Sequence, residues 1–439
     1  MSPVLPFDII VLIIDMIGEN NDTNLLKELA LVSHSFLQIC RKHIFATVEL
    51  HDAQIRSKHL FATVELHDTD PKRHVPSSKK GFVKLLERRP DVVEYIRKLT
   101  YTINHDHVLP PHFASVLNFD NEDNLLSSIL PNFLRTIPRL NSLKIHASQL
   151  DWNKLNPSLI SALLHLMHLP TINHIDLSSI HNFPLSSLTP SVNLLRLDIE
   201  NLGEDFIYKF GEDGSPSPKF VGKLESIPKI RHFRTLNSYP MTKKLLHAKM
   251  QDGRPAFNFM DLRQLTTGTY DIRLQDEQNI RCLLQNAKSL EKLHLHNGRR
   301  GLVGLHDILS LSARTLNVFD LSVPFYNSPV TLTGLCEELE AMAGRNMLED
   351  FSFEVQVNND LKEDLVGSVF RKVEEVLVKP GWSASVLRQV SFKIGIRPVN
   401  YNAKLSEALS VALQSLPDKY LSHLPKHESI AFNFSAYVY

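Results

Sequence analysis

The stretch LEKLHL at 290–295 has the same pattern as LNSLKI at 140–145, INHIDL at 172–177 and LLRLDI at 194–199. Each motif has apolar residues at its first, fourth and sixth positions. The alternation at the end of the motif is typical of a β-strand with one buried face. Helix-like stretches lie between the motifs, for example SLISALLHLMHLP at 158–170. Strand and helix in repeated alternation predict an α/β fold with parallel strands.

The motif occurs about ten times along the chain. Its other copies are IRKLTY from Ile96, IRHFRT from Ile230, LRQLTT from Leu262, LNVFDL from Leu316, LEDFSF from Leu348 and LRQVSF from Leu387. It resembles the strand half of a leucine-rich repeat, which implies a solenoid with strands on the concave face and helices outside. The intervals vary from about twenty to about forty-five residues, and two central motifs end in threonine. Another α/β arrangement with parallel strands therefore remains the alternative.

The first fifty residues have a different pattern. Pro6 suits the start of a helix, and isoleucines recur at helical spacing through FDIIVLIIDMI at 7–17. LLKELALVSH at 25–34 and SFLQICRKHIF at 35–45 predict two further helices, with Ser33 or Ser35 as an N-cap. Three short helices cannot bury this much aliphatic surface among themselves, so part of it should face a partner.

The order of these residues resembles an F-box, especially the F-box of basidiomycete fungal proteins. The stretches that carry the resemblance are LPFDIIVLII from Leu5, LVSHSF from Leu31 and RKHIF from Arg41. Asp8, His34 and Phe36 depart from the usual glutamate, arginine and tryptophan. The resemblance implies docking onto a Skp-type adaptor, and through it onto a cullin. The adaptor-binding residues are then expected to be Leu5, Pro6, Ile9, Ile10, Ile13, Leu31, Val32 and Phe36. The alternative is a three-helix cap for the solenoid.

Eleven residues are duplicated directly after this region. KHIFATVELHD at 42–52 recurs as KHLFATVELHD at 58–68 with one Ile-to-Leu change. FATVEL alternates like a strand, and only one copy can occupy the edge of the first repeat. A polar stretch, DTDPKRHVPSSKK at 68–80, then predicts a loop or linker. The predicted domains are an F-box at 1–50, the duplicated segment and linker at 51–89, and the leucine-rich-repeat-like solenoid at 90–439.

Composition narrows the function classes. The 48 basic residues equal the 48 acidic residues, which argues against a nucleic acid or an anionic membrane as partner. No stretch approaches the roughly 20 apolar residues of a membrane span. The three cysteines lie far apart and offer no disulfide framework, which suits a reducing compartment. We expect a cytoplasmic or nuclear protein.

No motif predicts catalysis, a metal or another cofactor. The glycines of HNGRRGLVGLHDIL at 296–309 do not match a dinucleotide or phosphate-binding motif, so a turn between strand and helix is the preferred interpretation. Among the 21 histidines, the pairs His165 with His168 and His294 with His296 are not accompanied by further ligands nearby in sequence. The sequence therefore predicts a protein that is not an enzyme.

A candidate target surface follows from the strand alternation. The residues between the apolar positions should point to the concave face, and they are mixed in charge with an acidic bias. The candidates are Asp176, Asp198, Arg234, His294 and Asp320, all expected to be exposed. Such a row predicts a protein-binding surface, with a merely solvated face as the alternative. The sequence thus predicts a ubiquitin-ligase substrate receptor for an unknown target protein, or alternatively a repeat scaffold that is not associated with a ligase.

Overall fold

The computed structural model describes residues 6–20, 22–53, 87–104, 122–203, 219–220, 226–250, 252–268, 274–296, 309, 312–325, 335–358, 363–383, 386–397, 411 and 413–438. Two compact units are distinguished. The first comprises Met1–Ser215 with Lys223–Pro228, and the second comprises Pro216–Gly222 with Lys229–Tyr439.

Three helices begin the first unit. They are α1 (Phe7–Glu19), α2 (Thr23–Ala30) and α3 (His34–Ile44). Pro6 is the N-cap residue of α1, immediately before the first helical residue. The Asp22 carboxylate accepts from the Leu25 N–H at 3.1 Å, and the Ser33 hydroxyl accepts from the Phe36 N–H at 3.2 Å. These side-chain caps fix where α2 and α3 begin.

Parallel strands follow in sequence order in the first unit. They are β1 (Thr47–Ala53), β2 (Lys98–Asn104), β3 (Ser142–Asp151), β4 (His174–His181) and β5 (Arg196–Glu200). Each strand pairs with the next in the chain. A short 3-10 helix at Pro90–Tyr95 precedes β2, and the helices α4 (Glu122–Thr136) and α5 (Pro157–Met167) precede β3 and β4.

The second unit has the same alternation. Its main sheet contains β7 (His232–Leu236), β9 (Gln264–Gly268), β10 (Lys292–His296), β11 (Val318–Phe325), β12 (Asp350–Asn358), β13 (Gln389–Arg397) and β14 (Ala431–Val438), all parallel. Two short strands, β6 (Lys219–Phe220) and β8 (Lys249–Met250), pair with each other. The helices are α6 (Tyr239–His247), α7 (Leu274–Asn286), α8 (Leu335–Met342), α9 (Glu363–Leu377), α10 (Pro380–Ser383) and α11 (Leu416–Tyr420).

The register follows the sequence motif. Every one of the ten motif strands begins at the third motif position, and paired strands align equivalent positions, as Ser142 does with His174. The carbonyl of the second motif residue accepts two N–H groups from the next repeat. The Asn141 carbonyl, for example, accepts from Asn173 at 3.0 Å and His174 at 3.1 Å. Because this bond pair recurs from repeat to repeat, each motif is held at the same height as its neighbours.

The apolar motif positions form the core beneath each sheet. Leu290, Leu293 and Leu295 are all buried, as are the equivalent residues of the other leucine motifs. The two central motifs that end in threonine bury Thr235 and Thr267 at the sixth position instead. The Thr235 hydroxyl lies 2.6 Å from the Thr242 hydroxyl, which satisfies its hydrogen bonding inside the core.

The C-terminal repeats of the second unit are packed by aromatic rings. The Phe370 ring stacks on Phe392 with centroids 4.9 Å apart, and Phe353 and Phe434 meet Phe370 edge-on. The buried Glu374 carboxylate of α9 accepts the backbone N–H groups of Ser422, His423 and Leu424 at 2.8 to 3.1 Å. These bonds hold the segment that leads into β14.

The prediction of a mixed α/β fold with parallel strands is confirmed. The first copy of the duplicated segment, at 42–52, provides the end of α3 and most of β1, whereas the second copy, at 58–68, lies outside the described residues. The C-terminal strand β14, with its sequence AFNFSAYV, was not among the predicted strands.

Candidate functional site

The three N-terminal helices share a small apolar core. Ile14, Leu26 and Cys40 are fully buried at its centre, one from each helix. The partly buried residues packed around them are Ile10, Ile17, Leu29, Ala30, Phe36, Ile39 and Ile44. Burial raises the pKa of the Cys40 thiol, so this cysteine has the character of a core residue.

A polar contact joins α1 to α3. The Asp15 carboxylate is 2.6 Å from the Lys42 ammonium and 2.7 Å from Nε2 of His43. The hydrogen bond from Lys42 is the main reason that the pKa of Asp15 lies below its usual range; partial burial opposes it and the His43 contact adds to it. Gly18 lies against the His43 ring, where a Cβ atom would come within 2.2 Å of Nδ1. Glycine is therefore what allows α1 to approach α3 here.

An apolar surface remains uncovered on α1. Ile9 is 42% exposed and Ile13 44%, and Leu12 and Met16 on the same helical face are more exposed still. At the turn between α2 and α3, Leu31 is 88% exposed and Val32 65%. We call these six residues, Ile9, Leu12, Ile13, Met16, Leu31 and Val32, the N-terminal apolar surface.

The predicted adaptor-binding residues divide into two groups. Ile9, Ile13, Leu31 and Val32 belong to the N-terminal apolar surface, and Pro6 is exposed beside it. Ile10 and Phe36 instead are partly buried and pack against the core of the three helices. Leu5 lies outside the described residues. Leu12 and Met16 were missed, although their spacing from Ile9 and Ile13 on a helix was visible in the sequence.

A charged network lies on the sheet face of the first unit. Asp176 and Asp198 are direct cross-strand partners on β4 and β5. They are only 5% and 2% exposed, so the expectation that they are exposed is wrong. Cationic side chains from neighbouring positions cover them: Arg196 donates to Asp198 at 2.8 Å, and Lys144 reaches to 3.8 Å from Asp176.

The pKa of Asp198 reflects this covering. Burial alone would raise it, but hydrogen bonds from His174, at 3.1 Å, and from Arg196 together hold the pKa below its usual range. The carboxylate is therefore ionised and internally paired. The predicted acidic bias of the row does not reach the surface at Asp176 and Asp198, whereas the basic residues Lys98 and Arg196, at the first positions of β2 and β5, are exposed.

The remaining residues of the predicted target row lie in the second unit. Arg234, His294 and Asp320 occupy equivalent register positions of β7, β10 and β11. All three are half-buried. Nδ1 of His294 lies 2.5 Å from Oδ2 of Asp320, whose side chain is more exposed than those of Asp176 and Asp198. This part of the row is open to solvent and mixed in charge.

Other candidates carry less. His165 and His168 lie at the end of α5 and at its C-cap, and the His168 ring is 2.7 Å from the Ser187 carbonyl. The glycine-rich stretch after His296 lies outside the described residues until Leu309. Among the helices that the structure describes, none combines the length and apolar composition needed to cross a lipid bilayer.

Comparisons with known proteins add no family assignment. No protein-family model matches the sequence, and no curated protein matches it significantly.

Proposed function

We propose that this chain is the substrate-recognition adaptor of a Skp-cullin-F-box ubiquitin ligase, in which the N-terminal helices dock on the Skp-type adaptor and a leucine-rich-repeat-like solenoid binds a target protein. The observation that carries the proposal is the N-terminal apolar surface. It lies on helices whose sequence order resembles an F-box, and it leaves six large apolar side chains open to water.

An exposed aliphatic surface of this kind needs an occupant. Exposed apolar patches on soluble proteins mark interaction sites. The described three-helix core is small and already filled by Ile14, Leu26 and Cys40 with their neighbours. The side chains of the N-terminal apolar surface therefore cannot be buried within those helices. A groove on a helical partner protein fits this pattern, because an amphipathic helix presents its anchors one and two turns apart.

The repeat region supports the second half of the proposal. Equivalent motif positions pair from strand to strand within each unit, with the helices between. We infer from this repetition a leucine-rich-repeat-like solenoid. Polar side chains at the third and fifth motif positions then share one face of each sheet, which is the face on which such arrays hold proteins. Catalysis would belong to other subunits of the ligase.

One observation favours the alternative, a repeat scaffold whose helices are only a cap. The chain passes from α3 straight into β1, and the Ala46 carbonyl accepts the N–H groups of Arg97 and Lys98, both at 2.9 Å. Arg41 of α3 also lies 3.9 Å from Asp91 in the 3-10 helix before β2. The helices are thus joined to the first repeat as a cap would be. A cap needs no large exposed apolar face, however, which is why the ligase proposal is preferred.

The experiment is a binding measurement with two charges placed in the apolar surface. Replacing Ile9 and Ile13 by Asp puts two charges where a desolvated contact is proposed. Each of the two anchors contributes about 2 kcal/mol or more, so binding of a purified Skp-type adaptor should weaken at least about 1,000-fold. Affinity is measured by titration calorimetry with the full chain.

The matched control carries the same charge change elsewhere. Met260 and Met347 are similarly exposed apolar residues of the second unit, and their double replacement by Asp should leave adaptor binding unchanged. If the wild-type chain does not bind the adaptor, or if the Ile9/Ile13 variant binds as well as the control, the ligase proposal fails and the scaffold alternative stands.

A further inference from the structure

Three side chains from two neighbouring strands converge on the sheet face of the first unit. His174 and Asp176 lie on β4, and Asp198 lies on β5. One ligand atom from each lies within 4.8 Å of the others. The two carboxylates are buried side by side, which is unfavourable unless positive charge lies close to both.

The two carboxylates are not neutralised equally. Asp198 accepts hydrogen bonds from His174 and Arg196. In the described part of the chain, the basic side chains nearest Asp176 lie at longer range: Nζ of Lys144 is 3.8 Å and Nε2 of His146 is 3.6 Å from its Oδ2. Both distances exceed a normal hydrogen bond. Among the residues that the structure describes, Oδ1 of Asp176 has no hydrogen-bond partner although it is buried.

We propose that His174, Asp176 and Asp198 bind a divalent metal ion of the zinc class, with His146 as a further donor. Imidazole nitrogen and carboxylate oxygen are both zinc ligands, and ligand atoms about 2.1 Å from a tetrahedral ion are about 3.4 Å apart. Nε2 of His174 and Oδ2 of Asp198 are 3.1 Å apart, which is close to this spacing. The inference is independent of the ligase proposal, because it concerns only the side chains of β3, β4 and β5.

His174 is already oriented for this role. Its Nδ1 lies 2.9 Å from the Ser142 hydroxyl, and its Nε2 faces the carboxylate of Asp198. When Nδ1–H donates to the Ser142 oxygen, Nε2 has a lone pair for the metal. Metal-binding histidines usually donate their other ring N–H to a neighbouring acceptor in this way.

Arg196 is the competitor of the metal ion. Its guanidinium donates to Asp198 through Nε and a terminal nitrogen, yet half of its side chain is exposed. It can therefore turn toward solvent without opening the core. Removing this cation should strengthen metal binding, because one carboxylate is then left without its strongest partner. A merely structural salt-bridge network would give no such increase.

The test uses the full chain with Zn²⁺ alone, titrated against a chromophoric chelator. Asp176→Asn, which is nearly isosteric, should weaken the tightest site at least about tenfold, whereas Arg196→Gln should tighten it. Asp320→Asn is the matched control: it makes the same change beside His294 in the second unit and should leave the tightest site unaltered.

The 21 histidines will also bind zinc weakly, so the proposal is judged by the affinity for the first equivalent of Zn²⁺. If Asp176→Asn binds that equivalent as the wild type does, or if Arg196→Gln does not tighten it, binding is adventitious and the proposal is overturned. Should Asp176→Asn fail to fold, the Arg196→Gln result decides alone.

Discussion

At the scale of single residues, Gly18 shows how one missing side chain sets a helix contact. The residue lies in the last turn of α1, beside the His43 ring that contacts Asp15. Helix propensity alone would make Gly18→Ala stabilising by about 1 kcal/mol. The added Cβ would instead force His43 away from Asp15. We expect a net destabilisation of about 1–3 kcal/mol, as for other overpacked sites, measured by denaturant unfolding of the full chain.

The control is Gly203, where there is space for an added Cβ atom. At Gly203 a Cβ atom would make only an ordinary contact, 3.7 Å from Nδ1 of His181, so Gly203→Ala should be nearly neutral. A second substitution, His43→Ala, should relieve most of the Gly18→Ala penalty in a double-mutant cycle. An undiminished penalty in that background would show that His43 is not its cause.

The sequence did not predict the burial of Asp176 and Asp198. The alternation within the motifs correctly placed Asp176 and Asp198 at equivalent strand positions. Their covering, however, comes from Lys144 of the preceding repeat and from Arg196 of the same strand as Asp198. The cluster with His174 was missed for the same reason, since its three members come from two repeats 22 to 24 residues apart. Such neighbours are visible only once the register between repeats is known.

At the scale of elements, the motif proved sufficient to predict strands. All ten copies form strands, because their fourth and sixth positions bury side chains beneath the sheet in every repeat. The helix-like stretch DLVGSVFRKVEEVLV at 364–378 likewise corresponds to α9 (Glu363–Leu377). The strand β14 was missed because its motif begins with Ser429 rather than an apolar residue. Its Phe432 and Phe434 nevertheless join the aromatic core of the second unit.

The duplicated segment permits an unusually well-matched prediction about β1. Val48 of the first copy is fully buried, and Val64 occupies the identical place in the second copy. Val48→Asp buries an unpaired charge beneath the first strand, so we expect it to destabilise the chain by about 3 kcal/mol or more. Because the first copy already supplies the edge strand, Val64→Asp should change the melting temperature little.

Deleting residues 56–75 provides a second measurement of the same point. Shortening a loop changes the free energy of unfolding little when the strand before it is intact. The melting temperature should therefore stay close to that of the wild type. If Val64→Asp or the deletion lowers it as much as Val48→Asp does, the second copy is an integral part of the fold.

At the scale of the whole molecule, the proposed function separates into surfaces of different chemistry. The N-terminal apolar surface has no charged residue among its six members, whereas the sheet faces are charged and hydrogen-bonded. Apolar anchors suit a permanent subunit contact, and charged faces suit an exchangeable partner whose docking depends on electrostatics. The sequence could predict this division from its two periodicities. It could not predict that Asp176 and Asp198 of the first unit are buried, whereas Asp320 of the second unit is more exposed.

Asp320 is therefore the residue at which target binding is best tested. Its side chain is 37% exposed and contacts His294, so Asp320→Lys reverses a charge on the face without placing it in the core. Retention of a partner with a basic segment should fall by about tenfold at low salt and approach the wild-type level as salt rises. Glu375→Lys, an equally large reversal at an exposed position of α9, is the control and should have no effect. Binding of the Skp-type adaptor should be normal in both variants.

The measurement is the salt dependence of partner retention by the full chain, with partners quantified by mass spectrometry. Equal retention by Asp320→Lys and wild type at low salt would exclude this face of the second unit as the target surface.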